Sequence, residues 1–392
     1  MCCNLKLSPM FNLSMASKEL FHSNMLYWIS QVYPNEFKQV LNSLHIDTNQ
    51  WPEKWEVHRE KEHFDLSVTV KNSDKEEYIF ILENKVKSIP YKRQLDEYVQ
   101  KAGNGDKIQY LLLSLCTDFA HEDEICKSGW KIANNSDLAK AIKGIISQIP
   151  DSYHQALLKD YCSYIELLHG MQEQWKLNLD DNYCSVVVEA DEDIKQLIDV
   201  KKKLLVSQMA QCLLDKIPGA VLAGNKEIEI KKDGKTTIPE EIKNGKVFIN
   251  FGMTRSTGLI DLKVRVKGNL FLIIQVQGKQ FKHCVEVLGN DPGEMAVINA
   301  LKDYLENKLE KDQQSNVIAK RIIKDKFLSR QHGFLFDSSV FVETKSQKPF
   351  NKYGNSFIYQ YINISDDATI ENVLDEIINH INKIMNHIND YC

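Results

Sequence analysis

Nothing in this 392-residue chain spells a zinc site or a disulfide framework. Its nine cysteines (Cys2, Cys3, Cys116, Cys126, Cys162, Cys184, Cys212, Cys284 and Cys392) are scattered, and no two stand in C-x-x-C spacing. That pattern suits reduced thiols in a cytoplasmic protein. Long hydrophobic runs are also missing: Tyr110 to Leu113 and Leu270 to Ile274 are strand-sized, far below the roughly 20 residues that span a bilayer. No membrane partner is expected. The opening MCCNLKLSPMFNLSM lacks a charged start followed by a sustained apolar stretch, so no signal peptide is expected. There is no G-x-x-x-x-G-K-[ST] loop, which excludes an ATP motor and a nucleotide cofactor of that kind. Positive charge is not in excess either. With a formal net charge of -5, a polyanion has to be met by a local patch rather than a global field.

What is present is 43% hydrophobic and 26% charged residues, the balance of a globular chain long enough for two or three domains. Residues 17–33 place Leu20, Asn24, Tyr27 and Trp28 at helical spacing behind Ser17 as N-cap, with Pro34 beyond the end. Residues 55–59 and 64–70 alternate as strands around a polar turn at 60–63. A charged hairpin loop (71–77) leads into a strand of β-branched and aromatic residues (78–83). Pro90 precedes a helix over 91–102, closed by Gly103-Asn104-Gly105; 107–115 is another strand, and 137–149 and 153–175 are helices. This order predicts an α/β domain over 17–177 with a mixed sheet flanked by helices. Around 178–192 the chain turns acidic and loses helical periodicity, which marks the boundary. A C-terminal α+β domain over 190–392 follows. It comprises a helix (193–216), a strand-rich segment (227–287), an amphipathic helix (294–312), strands at 333–342 and 356–362, and a last helix (369–388).

The stretch YIFILENKVKSIPYKRQLDEY drops from an apolar run straight into Glu83-Asn84-Lys85. E-x-K is a cheap spelling, present at Glu36, Glu83, Glu229, Glu241, Glu306 and Glu343, and any one copy reads by default as a solvated ion pair worth about 0–1 kcal/mol. Context singles out Glu83. Upstream, in HFDLSVTV, Asp65 interrupts a strand, and a hairpin would return it beside Glu83 so that two carboxylates share a hard cation such as Mg2+ or Mn2+. Lys85 lies on the same strand face as Glu83, placed to orient or deprotonate water or to stabilise charge at phosphorus. Gln94 and Tyr98, spaced i, i+4, share one face of the next helix. The rival copy at Glu343 has its upstream acid, Asp337, only six residues away, too close for a second strand.

These elements resemble the PD-(D/E)XK nuclease superfamily: the hydrophobic-Asp-hydrophobic strand, the E-x-K strand and a Q-x-x-x-Y helix like that of its RecB-like branch. ELFHSNMLYWI, HREKEHFDLSV, ILENKVKSIPYKRQLDEY and GWKIANNSDLAKAI together are similar to a group of bacterial members, over about residues 17 to 145. No Pro precedes Asp65, a departure from the family's name pattern. The resemblance implies a restriction-endonuclease-like sheet, with Asp65 and Glu83 as metal ligands and Lys85 as the catalytic lysine. Gln94 and Tyr98 become supports or phosphate contacts, Glu60 and Glu19 additional acids, and His22 a neighbour one helical turn after Glu19. Lys87, Lys92 and Arg93 beside the E-x-K strand are candidate nucleic-acid contacts.

In the second half, LIDLKVRVKGNLFLIIQVQGKQF repeats the rhythm of the first hairpin, with Asp261 in the place of Asp65 but Gln275 and Gln277 in the E-x-K positions. Neutral amides replace neither an anionic ligand nor a cation, so the stretch is either an inert nuclease-like lobe or, the simpler reading, an ordinary hairpin. Lys320, Arg321 and Lys324, in AKRIIKDKFLSRQH, form a basic stretch that meets a phosphate backbone or simply faces solvent. The expectation is a Mg2+- or Mn2+-dependent nuclease acting on nucleic acid, DNA foremost, in restriction or defence. The alternative is a non-catalytic nucleic-acid-binding or regulatory protein on the same scaffold; self-association as a homo-oligomer is left open.

Overall fold

The computed structural model describes residues 10, 20–52, 55–71, 77–86, 88–103, 105–188, 194–223, 228, 230–232, 235–238, 242–254, 257–289, 291–311, 315–330, 338–342 and 348–391. The chain is a mixed α/β protein in two compact units, each with its own sheet. Met1–Lys176 and Glu192–Leu204 make the first, Leu177–Asp191 and Leu205–Cys392 the second.

The first unit runs α1 (Leu20–Val32), α2 (Pro34–Ser43), β1 (Glu56–Arg59), a short 3-10 turn (Lys61–His63), β2 (Leu66–Lys71) and β3 (Glu77–Lys85). It continues with α3 (Lys92–Ala102), β4 (Ile108–Ser114), α4 (Glu122–Lys127), β5 (Trp130–Asn134), α5 (Asn135–Ile146) and α6 (Ser152–Gln172). The strands lie in sequence order; β1, β2 and β3 are antiparallel, whereas β3, β4 and β5 are parallel. Parallel neighbours need a crossover, and α3 and α4 supply the two. The apolar run that opens β3 does not alternate because this strand is central: Phe80, Ile81 and Leu82 are all fully buried. Leu26 of α1, Phe37 of α2, Leu112 of β4, Ile142 of α5 and Tyr161 of α6 join the same core.

Three α-helices or strands of the first unit escape the sequence reading: α2, α4 and β5. Pro34 looks like a stop, yet it stands in the first turn of α2, where its missing N–H is no loss. β5 is only five residues long and ends at Asn134, which caps α5 through a reciprocal box with Asp137. A strand that hands over to a helix without a turn leaves no punctuation to read. Ser17 and Glu19 lie outside the described residues.

In the second unit the long strands β9 (Val247–Thr254), β10 (Thr257–Lys267), β11 (Leu270–Gln277), β12 (Gln280–Val287) and β15 (Phe357–Ile364) form an antiparallel run. Short strands border it: β6 (Val221–Leu222), β13 (Phe341–Val342) and β14 (Asn351–Tyr353), while β7 (Ile230–Lys232) and β8 (Lys235–Thr237) pair with each other. Gly278, at φ +54°, makes the tight β11–β12 turn, and a Cβ there would meet Thr257 Cγ2 at 2.6 Å. Helices α7 (Tyr183–Val188), α8 (Lys195–Lys216, whose residues up to Leu204 belong to the first unit), α9 (Pro292–Leu305), α10 (Val317–Lys324), α11 (Ile370–Asn386) and α12 (Ile388–Tyr391) complete the elements. The expected helix over 294–312 starts earlier, with Asp291 as its cap, and stops at Leu305 ahead of the left-handed Asn307. Of the strand expected at 333–342, the described part forms only Phe341–Val342.

On the helix-covered face, His283 of β12 stacks on Phe327 (4.5 Å between centroids) and its Nδ1 lies 3.0 Å from the Phe327 carbonyl. Nδ1 therefore carries the proton, and Nε2 faces His380 Nδ1 of α11 at 2.6 Å. His380 in turn sits 3.5 Å from Glu376. Burial, then the His380 imidazole and Lys383, push the His283 pKa well below its ordinary value. A base with a depressed folded pKa holds its full contribution above the unfolded pKa and loses it as pH falls below that value. Stability should therefore fall from about pH 6.5 downwards by up to ~1.4 kcal/mol per pH unit for this one histidine. Urea unfolding of wild type and His283→Leu between pH 5.5 and 8 checks it; parallel pH profiles would refute the assignment.

Candidate active site

The β2–β3 ladder ends at the Leu66–Leu82 pair, which leaves Asp65 and Glu83 as the next residues on the two adjoining chains. A hydrogen bond confirms the approach: the Asn84 N–H donates to Asp65 Oδ2 at 2.7 Å. Strand β3 carries Glu83 and Lys85 on one face, with Lys85 Nζ 2.7 Å from Glu83 Oε1. From α3, Gln94 Nε2 donates to the same Glu83 oxygen at 3.1 Å and lies 2.7 Å from the Tyr98 hydroxyl. That hydroxyl donates to the His63 carbonyl at 2.9 Å. One chain of hydrogen bonds thus runs from the E-x-K strand, across the Q-x-x-x-Y helix, to the loop that delivers Asp65. The Tyr98 pKa is raised, first by burial and then by the Glu83 carboxylate, so the phenol keeps its proton and the donor role is secure.

The same three letters recur at Glu306-Asn307-Lys308, where the pair is also formed, at 2.6 Å, but is solvated: the side chains are 64% and 38% exposed for Lys308 and Glu306. For Lys85 and Glu83 the figures are 9% and 3%. A buried pair sacrifices the hydration of two ions and is weak support for a fold. Its presence at the end of a central strand asks for a reason beyond stability. Glu343 lies outside the described residues.

Other expected residues fall elsewhere. His22 is fully buried, its Nδ1 2.9 Å from the Tyr161 hydroxyl and its ring stacked on Tyr164, so its described contacts belong to the helical core. Burial holds the Tyr161 phenol well above its ordinary pKa, so the hydroxyl keeps its proton. Glu60 is exposed and lines a surface cleft with Asn24, Tyr27 and Arg59 rather than joining the hydrogen-bonded group at Glu83. Lys92 and Arg93 pair with Asp96 (2.6 Å) and Glu97 (2.9 Å), each one turn along α3, so both expected phosphate contacts are already engaged. Lys87 lies outside the described residues. On α10, Lys320 and Lys324 are exposed, while Arg321 is held by Asp325 at 2.7 Å.

In the second unit Asp261 pairs directly with Gln275, whose amide donates to it at 2.7 Å. The likeness to the first hairpin ends there. β3 leads through α3 into a parallel strand, whereas β11 turns at Gly278 into antiparallel β12. The two units do not share strand order, which favours the simpler of the two readings, an ordinary hairpin whose rhythm comes from shared strand grammar. The polar face holding Asp261 also carries Lys263, bonded to Glu286 at 2.5 Å, and Lys282, bonded to Gln277. Burial raises the Asp261 pKa. Asp261→Asn should leave any turnover within about twofold of wild type, because the amide oxygen can still accept from Gln275. A hundredfold loss in a folded variant would move the active site into this unit.

Asp65 and Glu83 are oxygen donors of the kind that hard divalent cations take. Among the described residues no three His, Cys, Asp or Glu side chains gather into a metal-holding group. Two protein carboxylates still suit Mg2+, which usually keeps several waters of its own. Comparison with protein-family models, curated proteins and solved structures returned no match.

Proposed function

We propose that the chain is a metal-dependent nuclease that hydrolyses phosphodiester bonds, with DNA as the expected polymer. The observation that supports it best is the buried Glu83–Lys85 pair, oriented by Gln94 and facing Asp65 across the β2–β3 ladder. Asp65 and Glu83 would hold the Mg2+ or Mn2+, which supplies Lewis-acid stabilisation of phosphoryl charge and lowers the pKa of bound water. The Lys85 ammonium would stabilise negative charge developing on the phosphoryl oxygens or orient the attacking water. Gln94 holds Glu83 in place, and Tyr98 fixes the loop before Asp65 through the His63 carbonyl. No described helix is long and apolar enough to cross a membrane. The six described cysteines are free thiols, which suits a reducing compartment, and we place the protein in the cytoplasm.

The second reading is a nucleic-acid binder without catalysis on the same scaffold. Incubation with linear duplex, circular duplex and single-stranded DNA, in Mg2+ or Mn2+ and in chelator, separates the two. Cleavage abolished by chelator is the expected result. Binding without cleavage on every substrate would overturn the nuclease reading.

A further inference from the structure

Between α1 and β1, on the first unit, lies an open cleft of about 480 Å³ whose lining includes Asn24, Tyr27, Val57, Arg59, Glu60 and Lys61. Arg59 is the unusual member. Three other exposed or half-exposed arginines bind carboxylates: Arg93 with Glu97, Arg321 with Asp325 and Arg330 with Glu310. Arg59 instead lays its guanidinium 4.2 Å from the Tyr27 ring centroid and donates through Nη1 to Asn24 Oδ1 at 2.6 Å. The charge is held in a fixed plane by an aromatic ring and an amide, neither of which neutralises it. A planar guanidinium stacked in this way offers its remaining N–H groups to a phosphate and its outer face to a base.

The cleft also shares a wall with the candidate active site. Residues 60–63 connect β1 to the segment carrying Asp65, and Glu60 (φ 52°), Glu62 (φ 59°) and His63 (φ 74°) all adopt left-handed backbone. Such conformations are unfavourable for non-glycine residues and persist only where the surroundings impose them. Here α3 imposes them from behind: Tyr98 donates to the His63 carbonyl, and Lys101 Nζ to the Glu62 carbonyl at 2.7 Å. At the loop's other end the Glu60 N–H lies 3.4 Å from the Asp65 carbonyl. The same braced loop therefore presents Lys61 and Glu60 to the cleft and sets the position of Asp65.

We propose that this cleft binds one phosphate and the adjoining base of a single nucleic-acid strand, with the Arg59–Tyr27 stack as platform and Lys61 as second cation. The proposal deepens the nuclease reading and rests on it for the identity of the polymer. Glu60, the anion of the cleft wall, opposes a phosphate, so its removal and the removal of Arg59 act with opposite sign.

The test is binding of fluorescent dodecathymidylate in chelator, alongside turnover on a single-stranded substrate in Mg2+. Arg59→Ala is expected to weaken binding by about tenfold and to reduce its salt dependence. Arg59→Lys, which keeps the charge and loses the plane, should fall between, and Glu60→Gln should tighten binding severalfold. Circular dichroism melts verify that each variant is folded; if Arg59→Ala is not, Arg59→Lys and Glu60→Gln decide. Cleavage by wild type with unchanged KM and affinity in the Arg59 and Glu60 variants would overturn the cleft and leave the nuclease standing. Arg59-dependent binding without cleavage would keep the cleft and sink the nuclease. Neither binding nor cleavage would sink both.

Discussion

Asp65→Asn and Glu83→Gln are each expected to lower turnover by about a hundredfold to a thousandfold, the scale on which loss of one preorganised electrostatic contact acts. Their stabilities should differ. Asp65 is half-buried and accepts from a backbone N–H that an asparagine oxygen can also satisfy, so its variant should melt close to wild type. Glu83 is the carboxylate partner of a buried ammonium, and removing one member of such a pair costs about 3–5 kcal/mol. Turnover at a temperature where both variants are folded, read beside urea titrations, checks the two halves independently. Calorimetry adds a third arm: Mg2+ or Mn2+ binding should weaken in both. Wild-type turnover in a folded Asp65→Asn would remove the carboxylate pair from the chemistry.

Lys85→Met should lose turnover by about a hundredfold or more while metal binding persists, since an ammonium that stabilises transition-state charge contributes to kcat and not to holding the ion. Stability should fall as well, because Glu83 is then buried without its counter-charge. Lys85→Arg is expected to be a poor substitute: a broad planar fork does not reproduce a compact ammonium in a site this closed. Single-turnover rates on one oligonucleotide across Lys, Met and Arg at this position measure the effect. If Lys85→Met turns over at the wild-type rate, the pair is a structural ion pair like Glu306–Lys308, only better buried.

Much of the first unit is legible locally. The Asp65–Glu83 approach follows from two short strands and a charged loop between them, and strand alternation places Lys85 with Glu83. Gln94 and Tyr98 share a face because α-helical spacing is fixed by backbone geometry. Each of these inferences spans at most about twenty positions and rests on a period of 2 or 3.6 residues.

What needed the tertiary structure has longer reach. Arg59 meets Asn24 and Tyr27 across more than thirty residues, and His283 meets His380 across ninety-seven. No periodicity predicts such partners, because packing selects them from many side chains of equal propensity. The same limit applies to His22, whose helix position was readable but whose orientation toward Tyr161 was set by how α1 packs on α6. The six E-x-K copies make the point most sharply. Sequence alone determined that Glu83 and Lys85 could form a pair on one face of a strand. Only the fold decided that this pair would be buried where Glu306 and Lys308 stay in water, because burial is a property of what packs above a residue rather than of the residues beside it.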